Sequence, residues 1–101
     1  MPAQADITAK LRFYPTNQGG RKRPIAPPHL GCIFEIDGHS HDCRIYLQDE
    51  MVVNPGDTVV LAIQFLRPDL VLSKLSVGQQ FFLWELGYIA DGEVVEILSQ
   101  G

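Results

Sequence analysis

An all-β fold of about six short strands, closed into a small antiparallel barrel or folded as a small sandwich, is what this sequence predicts, on three observations. Runs rich in β-branched and aromatic residues alternate apolar and polar side chains at period two, and breaks bearing Gly or Pro recur between them. No stretch carries the 3.6-residue apolar period of a helix of ordinary length. At 101 residues, 46% hydrophobic and 20% charged, the chain has the size and balance of one globular domain, so 1–101 reads as a single unit with residues 1–5 flexible.

Ile7, Ala9, Leu11 and Phe13 alternate with Thr8, Lys10 and Arg12, the pattern of a strand with one buried face, and Pro15 stops it. Gly19-Gly20-Arg21-Lys22-Arg23-Pro24 follows, the one dense positive cluster in the chain. Its glycines open backbone angles closed to other residues, while Pro24 fixes its own and pushes Arg23 toward an extended conformation. Such a loop presents its cations at one place, although a run of three charges reads first as a solvated turn. Residues 25–31 are too rich in proline for an interior strand and read as an extended connection. Strand-like runs 32–36 and 39–47 flank Asp37-Gly38, a pair suited to the positive φ angles of a type I′ hairpin turn. That turn sets a register: Ile36 opposite His39, Phe34 opposite His41, Cys32 opposite Cys43. The core face of the hairpin then carries Cys32, Phe34, Ile36, His39, His41, Cys43, Ile45 and Leu47.

Residues 51–57, with Pro55 and Gly56, form a turn. The run 58–66 is strongly β-prone, with Val59, Leu61, Ile63 and Phe65 inward, and Arg67-Pro68 ends it. Residues 69–75 fit either a short helical turn or an irregular extended segment. Runs 79–85 and 89–98 are the last two strands, the latter bulged at Gly92. The segments after Pro24 and near Asp69 are candidate edges for pairing with a second copy.

A formal net charge of −4 argues against a general nucleic-acid binder, which needs an excess of Lys and Arg. The charge is uneven, however. Up to Arg44 there are six basic and four acidic residues; beyond it there are two basic and eight acidic, so a dipolar surface is open to the fold. The amino terminus has neither the basic start nor the apolar run of a signal peptide, and no segment approaches membrane-spanning length. The expectation is a cytoplasmic protein with no membrane contact, whose two cysteines are reduced.

Catalytic chemistry is hard to find. Gly19-Gly20-Arg21-Lys22 lacks the spacing, hydroxyl and following helix of a phosphate-cradling loop, so no GTP binding by this chain and no cofactor is expected. Cys32 and Cys43 fall on the core face, where a thiol is an inert small hydrophobe. His39, His41, Cys43 and Cys32 share that face and make the Asp37-Gly38 hairpin a minor metal candidate. Phe34 and Ile36 intervene, and the spacing matches no zinc knuckle. A Cys32–Cys43 disulfide is within reach, but a hydrogen-bonded strand pair suits one poorly.

Three blocks, taken in order, resemble the carboxy-terminal β-barrel of the elongation factor Tu family. The first is Arg12-Phe13-Tyr14-Pro15-Thr16 with Gly19-Gly20-Arg21-Lys22 and Pro24. The second is Met51-Val52-Val53-Asn54-Pro55-Gly56-Asp57. The third is Gly78, Phe81, Leu83, Glu85 and Gly87 running into Gly92, Val94 and Val95. They span most of the chain, and the resemblance implies the closed barrel without catalytic residues; the starting methionine and the complete barrel lead to the expectation of a free-standing protein. In that family the barrel meets protein partners and the T stem of aminoacyl-tRNA. Carried over, Arg21 and Lys22 occupy loop positions facing RNA, Arg67 matches a basic residue before Pro68, and Glu85 matches a glutamate of the last hairpin. Leu86 stands where the family has glycine, and the family's Arg and Gln before the second strand are absent.

The functional expectation is a non-enzymatic binding module linked to translation, with a protein partner. The alternative is phosphate-backbone binding of tRNA or another RNA through Arg21, Lys22, Arg23 and Arg67.

Overall fold

The computed structural model describes residues 5–98; the terminal segment 1–4, on which most of the expected flexibility falls, lies outside them. Six strands form, β1 (Ile7–Phe13), β2 (His29–Ile36), β3 (His39–Tyr46), β4 (Thr58–Phe65), β5 (Gln80–Trp84) and β6 (Tyr88–Ile97). All neighbouring pairs are antiparallel and the sheet closes in the order β1-β4-β3-β2-β5-β6, with β6 returning to β1. Period-two alternation drives this closure, because each strand has one face to bury and a closed sheet leaves no edge unpaired. The expected all-β barrel is therefore the observed one, and the sandwich is not.

Ile7, Ala9, Leu11 and Phe13 all point inward and are buried. At the centre Phe34 stacks on Phe81 with ring centroids 4.2 Å apart and meets the edge of Phe65 at 4.8 Å. The hairpin register is the expected one, Ile36 opposite His39 and Cys32 opposite Cys43, with Asp37 and Gly38 both at positive φ. Its inner face departs at the turn: His39 is exposed and His41 half-buried, since both lie at the hairpin end and only Cys43, Ile45 and Leu47 of that run are buried.

Elsewhere the structure corrects details. Gly92 sits in regular register opposite Leu11 and Phe81, and the shifts fall at Thr8/Ala9 against β6 and at Leu83/Trp84 against β6. The glycine is there for close approach: a Cβ would lie 2.5 Å from Phe81 Cζ and 2.8 Å from Leu11 Cδ2. β2 begins at His29, past the prolines, and the ambiguous stretch after Arg67 is a helical turn, Pro68–Val71, continued by a 3-10 turn, Leu72–Lys74. The two candidate edges are thus occupied within the chain, Ile25 by a bridge to Val53 and Asp69 by the helical turn. No helix among the described residues is long and apolar enough to cross a membrane.

Candidate functional site

The basic loop is shaped by its glycines. Gly19 takes φ +90°, and Gly20 packs so closely that a Cβ would sit 2.0 Å from the Tyr14 carbonyl oxygen, while its N–H donates to the Pro15 carbonyl at 3.0 Å. The Thr16 hydroxyl donates to the Arg21 carbonyl at 2.8 Å, which pins the chain where the cations begin. The guanidinium of Arg21 turns back onto the barrel and pairs with Glu85, Nε to Oε1 at 2.9 Å, with its Nη1 buried and unpartnered. Lys22 and Arg23 are exposed. The void beneath this loop is about 10 Å³, less than a small ligand needs.

Arg67 stands apart from this pair. It grips Asp69, Nη2 to Oδ2 at 2.9 Å, with both side chains over 60% exposed. So the structure joins Arg21 to Glu85, across 64 positions of sequence, and gives Arg67 a neighbour of its own. Of the expected residues only Lys22 and Arg23 remain cations without an ion-pair partner among the described residues.

Glu85 leads to a feature that sequence reading missed. The turn joining β5 to β6 is Glu85-Leu86-Gly87, closed by the Glu85 N–H donating to the Gly87 carbonyl at 2.7 Å. Leu86 is held at φ +57° and is 95% exposed. The β2–β5 ladder stops at Ile33 opposite Trp84, and beyond it the turn parts from β2, leaving open space above Gly31. The result is a groove of about 780 Å³ on the outer wall, crossing β2, β3 and β4. Trp84 and Leu86 form one side, Leu66 the other, and Gly31, Ile33, Asp42, Arg44 and Gln64 lie across it.

The rim is braced by side chains. Phe82 meets Tyr88 edge-on with centroids 5.6 Å apart, the Tyr88 hydroxyl donates to Glu35 at 2.7 Å, and the Tyr46 hydroxyl donates to Gln64 at 2.7 Å. The hydrogen bond to Glu35 raises the Tyr88 phenol above its usual pKa, so it remains a donor through neutral pH. Apolar side chains stay solvent-facing around the turn: Phe82, Trp84 and Tyr88 are each between about 39% and 47% exposed. One signal was available in the sequence: a leucine between Glu85 and Gly87, at a hairpin tip where the resembling family has glycine.

Under the groove the two thiols lie 3.6 Å apart and buried, as free cysteines. The contact with Cys32 and burial push the Cys43 thiol up, away from the nucleophilic thiolate. Among the described residues no three His, Cys, Asp or Glu side chains are grouped to hold a metal ion. Burial lowers the His41 pKa, with Lys74 and His39 adding to it, but His41 and exposed His39 are not gathered with the thiols into a ligand set.

No family model matches the sequence, and no curated protein matches it.

Proposed function

We propose that the chain is a non-enzymatic binding module that docks a protein through the groove and the β5–β6 tip. Leu86 carries this reading. A bulky residue in the left-handed region costs about 1–2 kcal/mol of backbone energy, and a side chain 95% exposed returns no burial to the fold. Strain combined with exposure at one position is what a contact residue shows. Trp84, Phe82, Tyr88 and Leu66 extend the apolar surface, the aromatic-rich composition found at the centre of interfaces. The resemblance to the elongation factor Tu carboxy-terminal barrel supports the same kind of role, contact without chemistry, in a cytoplasmic setting linked to translation.

The RNA reading draws on the same region and is weaker. Of the four cations that reading uses, Arg21 is paired with Glu85 and Arg67 with Asp69, which leaves Lys22 and Arg23 to attract phosphate on a chain of net charge −4. Affinity capture from source lysate separates the two. With the docking reading, Leu86→Asp abolishes capture of the protein partner, whereas Lys22→Ala combined with Arg23→Ala retains it, and nuclease treatment changes nothing. Capture that survives Leu86→Asp and is lost with nuclease or with the two alanines overturns the proposal and gives the role to the basic loop.

A further inference from the structure

We infer that the partner seated on this groove is a second copy of the chain, related by a two-fold axis that runs across the strands. This rests on the docking reading above and assigns its occupant. The argument starts from register. Cys32 is opposite Cys43, and Cys43 is opposite Phe65, so these three inward-facing residues form one row across β2, β3 and β4. On each side of that row the next residues face outward. The first outer row is Trp84, Ile33, Asp42 and Leu66: Ile33 is opposite Trp84 and Asp42, and the Asp42 carbonyl accepts the Leu66 N–H. The second is Gly31, Arg44 and Gln64, with Leu86 at the end where the turn parts from β2.

A two-fold axis along the central row places the first outer row of one copy over the second outer row of the other. Three of the four superpositions are complementary, and the fourth sets Leu66 over Gln64, whose amide oxygen already accepts from Tyr46. Asp42 meets Arg44, and by symmetry Arg44 meets Asp42; both are exposed, and neither has an ion-pair partner among the described residues. Ile33 descends over Gly31, where a Cβ would meet nothing within 4 Å, so the hollow of one copy receives the ridge of the other. Trp84 meets Leu86, which covers the most exposed leucine with the largest side chain of the groove. An isologous patch requires self-complementarity of this kind, charge against opposite charge and ridge against hollow. The eight residues of the two rows fall short of the roughly 20–30 residues a side of a standard interface, so the dimer is a weak one.

Sedimentation velocity across a concentration series reads this directly, with emission from Trp84, the single tryptophan, as a second signal of its burial. The wild type shifts from monomer toward dimer as its concentration rises to about 500 µM, with Trp84 emission moving to the blue. Arg44→Asp alone and Asp42→Arg alone each oppose like charges twice in the homodimer, and each raises the dissociation constant at least about tenfold. An equimolar mixture of the two variants restores association, because each supplies the charges the other lacks, and the double variant D42R/R44D self-associates again. Restoration in the mixture cannot come from misfolded chains. A wild type that stays monomeric throughout, or single variants that associate as it does, overturns the inference. If capture of a different protein remains sensitive to Leu86→Asp in that case, the docking reading stands with another occupant; if it does not, both fall.

Discussion

Leu86 poses the sharpest conflict between a residue and its backbone. Asp37 and Glu50 also take positive φ, but Asp is one of the residue types enriched there and Glu50 presents a charge to solvent. Leucine has no such compensation, because its Cβ crowds the following carbonyl and its side chain reaches nothing. Asparagine accepts the same backbone region through local hydrogen bonding. Leu86→Asn should therefore leave the barrel as stable as the wild type or more so, by about 0.5–1 kcal/mol in urea unfolding, while capture and self-association are lost. A variant that unfolds more readily than the wild type would show instead that Leu86 supports the fold. Arg21 illustrates the opposite case, an apparent RNA contact whose charge is engaged by Glu85, so its sequence neighbours Lys22 and Arg23 say little about its environment.

The register of the β2–β3 hairpin was legible in the sequence, because Asp37-Gly38 fixes the turn type and the turn type fixes the pairs behind it, while the start of β2 at His29 and the exposure of His39 were not. The groove was not, since it is made where β5 leaves β2, and the length of a ladder between strands about 50 residues apart is set by the flare of a distant turn. The Arg21–Glu85 pair was hidden for the same reason: both residues stood out, but only closure of the barrel makes them neighbours. Another long-range pairing ties β1 to β6. Arg12 Nε donates to Asp91 Oδ1 at 3.2 Å, its Nη2 donates to Oδ2, and the Tyr14 hydroxyl donates to Oδ2 at 3.1 Å. The Arg12 hydrogen bond above all, with Tyr14 and the charge of Arg12 adding to it, holds the Asp91 carboxyl below its ordinary value, against a smaller opposing effect of burial. A carboxylate depressed in the folded state stabilises fully above its unfolded pKa, near 3.9, and that contribution fades as pH falls toward the folded value. Urea midpoints measured from pH 7 down to pH 2 should show Asp91→Asn less stable than wild type at neutral pH, with the gap closing below about pH 4. A gap that is constant with pH would mean that shape, not charge, makes the β1–β6 strap.

For the molecule as a whole, stability depends on the seam where the first strand closes the barrel between β4 and the last strand. Asp6 sits at that seam, 7% exposed, just before β1. Its N–H donates to the Ile63 carbonyl at 2.9 Å, its carbonyl accepts from the Leu98 N–H at 2.8 Å, and its Oδ2 accepts from the Phe65 N–H at 2.8 Å. Backbone on both sides and a side chain across the top thus link both closing strands through one residue. A buried amide left without its acceptor costs about 1–3 kcal/mol, a large share of a total near 5–15 kcal/mol, so Asp6→Ala should lower Tm by about 4–8 °C for each kcal/mol lost. Asp6→Asn keeps a carbonyl oxygen of the same reach and should lose less. Hydrogen exchange locates the effect: in Asp6→Ala the Phe65 and Leu98 amides should exchange faster relative to the wild type, while amides within the β2–β3 hairpin keep their protection until global unfolding. Equal loss in the two variants would mean that the negative charge, not the hydrogen bond, holds the seam. Uniform acceleration at every amide would mean that the closure opens only with the entire barrel.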